Sequence, residues 1–407
     1  MKFVSMWIER EISQRILQAS RQFPALALTG SRQTGKTSLL RQLFPNHNYA
    51  SLEDPSLAAL AESDMEQFLA RYRPPVIIDE VQYAPQMFRR LKAAIDSNRH
   101  SMGQYLLTGS QKFALMKEVG DSLAGRCALL ELEPLSCGEL QTAHLLQERN
   151  SQATFASIAR GFYPELWRNP EADSLLFYRS YLGTYIERDV RQILNIGSLR
   201  DFDRFIRSCA LRSGQLLNKT ELSKDVGVAQ NTINQWLSVL EASNQITLLE
   251  PYFSNQRKQL VKTPKLFFND SGFLCFMLGL DQNSLAQYAG VGQIWETLVF
   301  SELRKLKDRS TRPMSIWYYH EQKKTELDFV IETGGKLHAI EVKLTMTPDS
   351  SHRRQLQAFA KDYQDEVDSL WLACRAEVSS QSADAVNTIH AFDLAKALAT
   401  LFERGQA

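Results

Sequence analysis

The sequence predicts a multidomain α/β chain: a parallel sheet with helices, then a helical stretch ending in a helix–turn–helix, then a smaller α/β domain. Three observations carry that prediction. An apolar run passes through a glycine-bounded loop into a helical pattern at residues 25–40, ALALTGSRQTGKTSLL. Two more apolar runs, PPVIIDEVQ (74–82) and QYLLTGS (104–110), end in polar residues, as buried parallel strands do when they carry functional groups at their C-terminal ends. Late in the chain, an amphipathic helix at 292–306 is followed by strand, Gly-Gly turn and strand at 326–345, the pattern of an antiparallel hairpin. A chain of 407 residues exceeds what one core usually holds. The divisions read as 1–150, 151–210, 211–285 and 286–407.

The first element is the loop. Gly30, Ser31, Arg32, Gln33, Thr34, Gly35, Lys36 and Thr37 have the spacing G-x-x-x-x-G-K-T, with Ser38 next. Glycines let backbone N–H groups close around phosphates, and the following helix adds its positive end. In that arrangement Lys36 reaches the β- and γ-phosphates and the Thr37 hydroxyl ligates Mg²⁺. The strand before the loop and the helix after it are the context the motif requires. Asp79 and Glu80 end the next strand, where a carboxylate lands beside the loop. Asp79 is expected to help hold Mg²⁺ and Glu80 to orient the attacking water. Thr108 and Ser110 end a third strand, as γ-phosphate or water contacts or as an ordinary strand exit. Arg126, in SLAGRC, is a candidate sensor of phosphate charge, within the chain or toward a neighbouring copy.

Residues 151–210 read as helical, with Arg188 and Asp189 placed as a structural ion pair or a lid contact. NKTELSKDVGV then reads as a short helix ending at Gly227, and AQNTINQWLSVLEASN as a second helix. Two strands, ITLLEPYF and PKLFFND, flank the basic stretch SNQRKQLVKT. Helix–turn–helix followed by a basic hairpin is the outline of a winged helix. Gln230, Asn231, Asn234 and Gln235 carry side chains that pair with base edges. Arg257, Lys258, Lys262 and Lys265 suit phosphates.

The last hairpin places Asp328 on one strand and Glu341 and Lys343 on the other, with Glu296 on the preceding helix. Such a set suits metal-dependent phosphodiester hydrolysis. Asp328 and Glu341 are expected to ligate Mg²⁺, Lys343 to orient the nucleophile and Glu296 to position the metal. The apolar residues around them mean that a carboxylate there needs a partner.

Composition narrows the classes. Net charge is +1, from 47 basic and 46 acidic residues, so a nucleic-acid role must rest on local patches. Five cysteines, at 127, 137, 209, 275 and 374, form no CxxC pair, which argues against a disulfide framework or zinc site. The run before Glu9 is too short for a signal-peptide core, and FLCFMLGL (273–280) is too short to span a bilayer. A cytoplasmic location, with no membrane partner, is the expectation.

Taken in order, GSRQTGKTSLL, VIIDEVQ, LLTGS, LAGR, YIERDV, WETLVFSEL, ELDFVI and IEVK resemble a family of bacterial and archaeal ATP-binding proteins. These join an AAA+-like P-loop ATPase domain to a C-terminal region of unknown function, predicted to hold a winged helix and a restriction-endonuclease-like fold. The resemblance implies ATP and Mg²⁺ as cofactors, with Lys36 and Thr37 binding and Asp79 and Glu80 in hydrolysis. It also implies that Glu296, Asp328, Glu341 and Lys343 occupy the nuclease-like site; DNA is the partner expected from the winged-helix outline, and AAA+-type self-association is open. The expected activity is ATP hydrolysis coupled to a DNA-binding, nuclease-like module; the alternative is an ATP-gated regulatory or protein-interaction switch whose nuclease fold is inert.

Overall fold

A computed structural model describes residues 7–110, 119–186, 199–252, 262–321 and 325–404. The chain forms two compact units. The first holds residues up to Leu135 with 163–168 and 242–244; the second holds the remainder.

The first unit is built on five strands: β1 (Ala25–Thr29), β2 (Asn48–Ser51), β3 (Val76–Asp79), β4 (Tyr105–Thr108) and β5 (Cys127–Glu131). All pairings are parallel, in the order β2-β3-β4-β1-β5. β1, β3 and β4 are buried along their whole length, while the edge strands β2 and β5 are partly exposed. That gradient explains the apolar runs in the sequence, since a central parallel strand is covered on both faces. Helix α1 (Lys36–Leu43) leaves the loop after β1, and α2 (Met87–Ser97) joins β3 to β4. Met87, Phe88, Leu91 and Ile95, spaced for one helical face, anchor α2 on the sheet.

The second unit contains two sheets. β6 (Gln215–Leu216), β7 (Ile246–Leu249) and β8 (Lys265–Phe268) form an antiparallel sheet in the order β6-β8-β7. Helices α3 (Leu199–Ala210), α4 (Lys219–Val226) and α5 (Gln230–Ala242) accompany it. Asn218 caps the start of α4, accepting from the N–H groups of Thr220 and Glu221, and Gly227 ends it in the left-handed conformation (φ 81°). Trp236 of α5 packs edge-on against Phe202 and Phe205 of α3.

The larger sheet runs β13-β14-β12-β11-β10-β9. Its strands are β9 (Met314–His320), β10 (Glu326–Thr333), β11 (Lys336–Val342), β12 (Val367–Cys374), β13 (Ser380–Gln381) and β14 (Val386–His390). β9, β10 and β11 form an antiparallel meander, and β11, β12 and β14 are parallel. Gly334 and Gly335, both at positive φ, make the two-residue turn between β10 and β11, the geometry that suits twisted strands. Helix α6 (Val291–Arg309) precedes the meander. The segment 187–198, with Arg188 and Asp189, and the segment 253–261, with Arg257 and Lys258, lie outside the described residues.

Candidate functional site

Two clusters of polar side chains stand out, one in each unit. In the first, the chain turns sharply after β1. Gly30 adopts φ 139°, and a Cβ there would lie 2.2 Å from the Leu132 carbonyl oxygen; Gly35 adopts φ 92° and precedes the first residue of α1. Only glycine takes such angles without strain. Arg10 reinforces the loop, donating to the carbonyl oxygens of Thr34 (2.9 Å) and Glu133 (2.6 Å). Lys36 folds over the loop and donates to the carbonyls of Gly30 (3.0 Å) and Ser31 (2.9 Å). Ser31, Arg32 and Thr34 are buried with it, while Gln33, at φ 63°, is exposed at the crest. Ser38 follows in the first turn of α1, exposed.

Asp79 collects hydroxyl groups from three elements. Thr37 donates to its two oxygens at 2.9 Å each, Tyr49 of β2 donates at 2.9 Å, and Thr108 of β4 also donates. Burial and the Asp79 carboxylate push the Tyr49 phenol up to about 12. A buried acid ringed by neutral donors, beside a loop rich in N–H groups, is the oxygen-donor arrangement that suits Mg²⁺. Glu80 takes φ 56°, a strained angle for a non-glycine residue. Its N–H donates to Thr108 Oγ1 (3.3 Å), and its carboxylate accepts from Ser110 (3.3 Å) and Gln82. Thr108 and Ser110 therefore touch the two acids directly.

Arg126 needs a correction. Its carbonyl accepts from Ala25 N–H at the start of β1, whereas the loop follows the end of β1. The two are separated by the length of a five-residue strand, about 15 Å. The guanidinium pairs with Asp96 of α2 through Nε (2.6 Å) and Nη2 (3.1 Å). Arg126 thus lies at the opposite edge of the sheet and does not reach phosphate bound in its own chain.

The second cluster gathers where β8, α6, β10 and β11 meet. An aromatic core sets the geometry: Phe267 stacks on Phe300 (4.5 Å), and Phe329 lies 5.7 Å and 5.8 Å from them. Phe267 is two residues beyond Lys265 on a strand, and Phe300 four beyond Glu296 on a helix, so each pair shares a face. Phe329 adjoins Asp328. Asp328 accepts from Val342 N–H at 2.7 Å. Lys343 Nζ lies 2.5 Å from Glu341 Oε1, while Glu341 Oε2 is buried with no hydrogen-bond partner among the described residues. Lys265 Nζ lies 3.2 Å from Glu326 Oε1 and 3.5 Å from Glu296 Oε1.

Burial, and then Asp328, push Glu296 and Glu341 each up to about 8. Burial also raises Asp328, against the pull of Lys343 and Lys265. Burial works against the charge on Lys265 and Lys343, yet the carboxylates hold both ammonium groups above their ordinary range. Two carboxylates on facing strands, one of them with a buried oxygen that has no hydrogen-bond partner among the described residues, fit a hard divalent cation.

Lys265 is the second correction. The sequence reading put it on the basic hairpin as a phosphate contact, but it is 4% exposed and held by glutamates. Its partner Glu326 was not singled out either. In sequence Lys265 sits 31 residues from Glu296, so no spacing motif links them. Lys262 is exposed, as are Gln230, Asn231, Asn234 and Gln235 along α5. Tyr49 and Gln82 were also missed, because neither belongs to the loop or acid motifs.

An all-parallel sheet with β4 between β1 and β3, a phosphate-type loop after β1 and an acid ending β3 define an AAA-type, P-loop ATPase-like domain. Residues 22–141 match the AAA domain family. Residues 152–284 and 291–392 match two domains of unknown function (DUF8612 and DUF4143). The chain belongs to the family of an uncharacterized protein of Mycobacterium tuberculosis, Rv2008c, with 30% identity over 360 residues spanning 85% of this chain and 76% of that one. An uncharacterized protein of Methanocaldococcus jannaschii, MJ1544, is 24% identical over 371 residues, covering 83% and 78%. The structure is also similar to a Walker-type ATPase of Pyrococcus abyssi, with TM-score 0.46 and 15% identity, covering 67% of this chain and 96% of that one. Among the described residues no helix is long and apolar enough to cross a membrane.

Proposed function

We propose that the chain binds ATP with Mg²⁺ and hydrolyses it in the first unit, and that nucleotide state governs a DNA-binding, nuclease-like module in the second. The observation that carries the first half is the convergence of Thr37 on both oxygens of Asp79 beside Lys36. Gly30–Ser38 would cradle the phosphates with backbone N–H groups, and Lys36 would exchange its loop carbonyls for phosphate oxygens. Thr37 and Asp79 would hold Mg²⁺, which when bound neutralises charge on the phosphate oxygens. Glu80 orients the attacking water, and Ser110 and Gln82 hold its carboxylate. Arg126 is not placed to meet a nucleotide of its own chain, and an arginine of a second copy is one way to complete the site. Self-association is accordingly part of the proposal.

The second half is supported by two features. The helix–strand–helix–helix order, with three strands ordered β6-β8-β7, supports the winged-helix reading. Its exposed Gln230, Asn231 and Asn234 would face base edges, and Lys262, with Arg257 and Lys258, would meet phosphates. The Asp328–Glu341–Lys343 set with Glu296 supports the nuclease-like reading. Asp328 and Glu341 would hold a divalent cation, Glu296 would position it and Lys343 would orient the nucleophile. A bound divalent ion supplies an activated water and charge stabilisation.

The test is direct. Lys36→Ala abolishes ATP hydrolysis, and Glu80→Gln binds ATP while hydrolysing it at least about a hundredfold more slowly; wild-type turnover in either variant refutes the corresponding assignment. For the second unit, labelled single- and double-stranded DNA is incubated with Mg²⁺ or Mn²⁺, with and without ATP. Metal-dependent cutting that disappears in Lys343→Ala establishes an ATP-regulated nuclease. No cutting with ATPase activity intact leaves the ATP-gated switch as the function.

A further inference from the structure

Asp79 is held from both flanks of its own strand. In the order β2-β3-β4 each neighbour sends it a hydroxyl: Thr108 of β4 donates to Oδ1, and Tyr49 of β2 donates to Oδ2 at 2.9 Å. The third donor, Thr37, sits 2.9 Å from both oxygens, yet a threonine hydroxyl has a single proton to give. Tyr49 and Thr108 therefore fix the plane of the carboxylate whichever oxygen Thr37 serves.

The reach of Tyr49 follows from strand register. Ser51 stands opposite Asp79, and Tyr49 opposite Ile77. Tyr49 is thus the diagonal neighbour of Asp79 on the same face, a separation that an aromatic side chain spans. Its ring is held on two sides. It packs against the apolar cluster that includes Leu39, Leu40 and Ile77, and the Arg41 guanidinium lies 5.0 Å from its centroid. Arg41 is four residues beyond Thr37 on α1, so the two share a helix face. That face touches the acid through Thr37 and the tyrosine through Arg41, and the contacts close on themselves across α1, β2 and β3.

We propose that Tyr49 is a positioning residue for the Mg²⁺ of the nucleotide site, acting through Asp79. The inference rests on the Mg²⁺–ATP reading above and goes beyond it in naming a residue, outside the loop and acid motifs, on which metal affinity depends. With an ion bound, Thr37 has two tasks: its oxygen ligates, and its proton goes to Asp79. It performs both only while the carboxylate keeps its orientation. Without the Tyr49 hydroxyl, Oδ2 keeps only the shared proton of Thr37, and the carboxylate is free to turn toward Thr108. Burial and the charge of Asp79 push the phenol up to about 12, so Tyr49 stays a donor at every lower pH. Partners that orient metal-site groups typically contribute about ten- to a hundredfold in metal affinity.

The test uses the full-length protein and AMP-PNP, an ATP analogue that resists hydrolysis. Its affinity is measured in EDTA and across a Mg²⁺ titration. Tyr49→Phe keeps the ring and loses only the hydroxyl. It should need at least about tenfold more Mg²⁺ than wild type for the same gain in affinity, with its affinity in EDTA within about twofold. ATP turnover should show the same split: a raised Mg²⁺ requirement, with kcat at saturating Mg²⁺ near that of wild type. An unchanged Mg²⁺ requirement, or an equal loss of affinity in EDTA and in Mg²⁺, overturns the proposal and leaves the nucleotide site standing. If Mg²⁺ does nothing for wild type, the Mg²⁺–ATP reading fails and this inference with it. A phenylalanine variant without native circular dichroism assigns the hydroxyl to the fold and overturns the proposal as well.

Discussion

Glu341→Gln gives the sharpest energetic test of the second cluster. The Glu341 side chain is 6% exposed, and its Oε2 has no hydrogen-bond partner among the described residues. Burial and Asp328 push its carboxyl to about 8 from 4.5. Between those limits the folded chain keeps a proton that the unfolded chain has released. A raised carboxylate contributes its full stability only below the unfolded value, and that contribution is lost as pH climbs toward the folded one. Each extra proton costs about 1.4 kcal/mol per pH unit. From pH 5 to pH 8 the loss is about 4 kcal/mol for one proton, a large share of the 5–15 kcal/mol typical of a domain. Glu296 is driven the same way, so the cluster shares the proton and the slope belongs to the group. Glutamine keeps the shape and removes a charge. Lys343, left without its partner, is 39% exposed and can turn to water.

In chelator, urea unfolding followed by the fluorescence of Trp295, Trp317 and Trp371 should show wild type losing stability from pH 5 to pH 8. The glutamine variant should have a shallower slope and be the more stable protein at pH 8. Mn²⁺ should flatten the wild-type slope, because a cation replaces the proton. Parallel slopes for the two proteins would refute the claim that Glu341 is held protonated by its surroundings.

Three further outcomes are expected. Gly30→Ala forces a Cβ to within 2.2 Å of the Leu132 carbonyl at φ 139°, at a cost of about 2–4 kcal/mol, so the melting temperature of the first unit drops by roughly 10 °C; an unchanged melt would show that the loop is not packed on Leu132. Arg126→Ala in dilute protein leaves ATP turnover within about twofold, as its surface pair with Asp96 contributes little; a thousandfold loss, seen only at concentrations where copies associate, would place Arg126 in a neighbour's site. Lys262→Ala lowers the slope of log affinity for DNA against log salt by about one, with no change in sequence preference; an identical slope would remove Lys262 from the phosphate contacts.

Legibility in the sequence followed distance along the chain. The phosphate-type loop could be read because its chemistry is local: glycines at Gly30 and Gly35, a lysine and a threonine within eight residues, bounded by a buried strand and a helix. Asp79 and Glu80 were readable because an apolar strand ending in acids has one usual place in a parallel sheet. The Gly334–Gly335 turn fixed the register that puts Asp328 and Glu341 on facing strands. The within-chain role expected of Arg126 failed because direction through a sheet decides which edge a residue occupies, and a short motif such as LAGR carries no direction; its role toward a neighbouring copy stays a proposal.

The sequence by itself determined the apolar strands β1, β3 and β4, the helices α4 and α5 and the Gly334–Gly335 hairpin, since hydrophobic period, caps and glycine are short-range properties. It also determined the loop and the acids that end β3. Only the tertiary structure decided what meets across elements. Tyr49, Thr37 and Thr108 converge on Asp79 from three elements because the order β2-β3-β4-β1 makes β2 and β4 the neighbours of β3. Lys265 leaves the basic stretch for the glutamates because Phe267 must pack with Phe300 and Phe329. Side-chain burial on β8 thus outweighs the local pattern of charge, and packing of that kind appears only once the chain has folded.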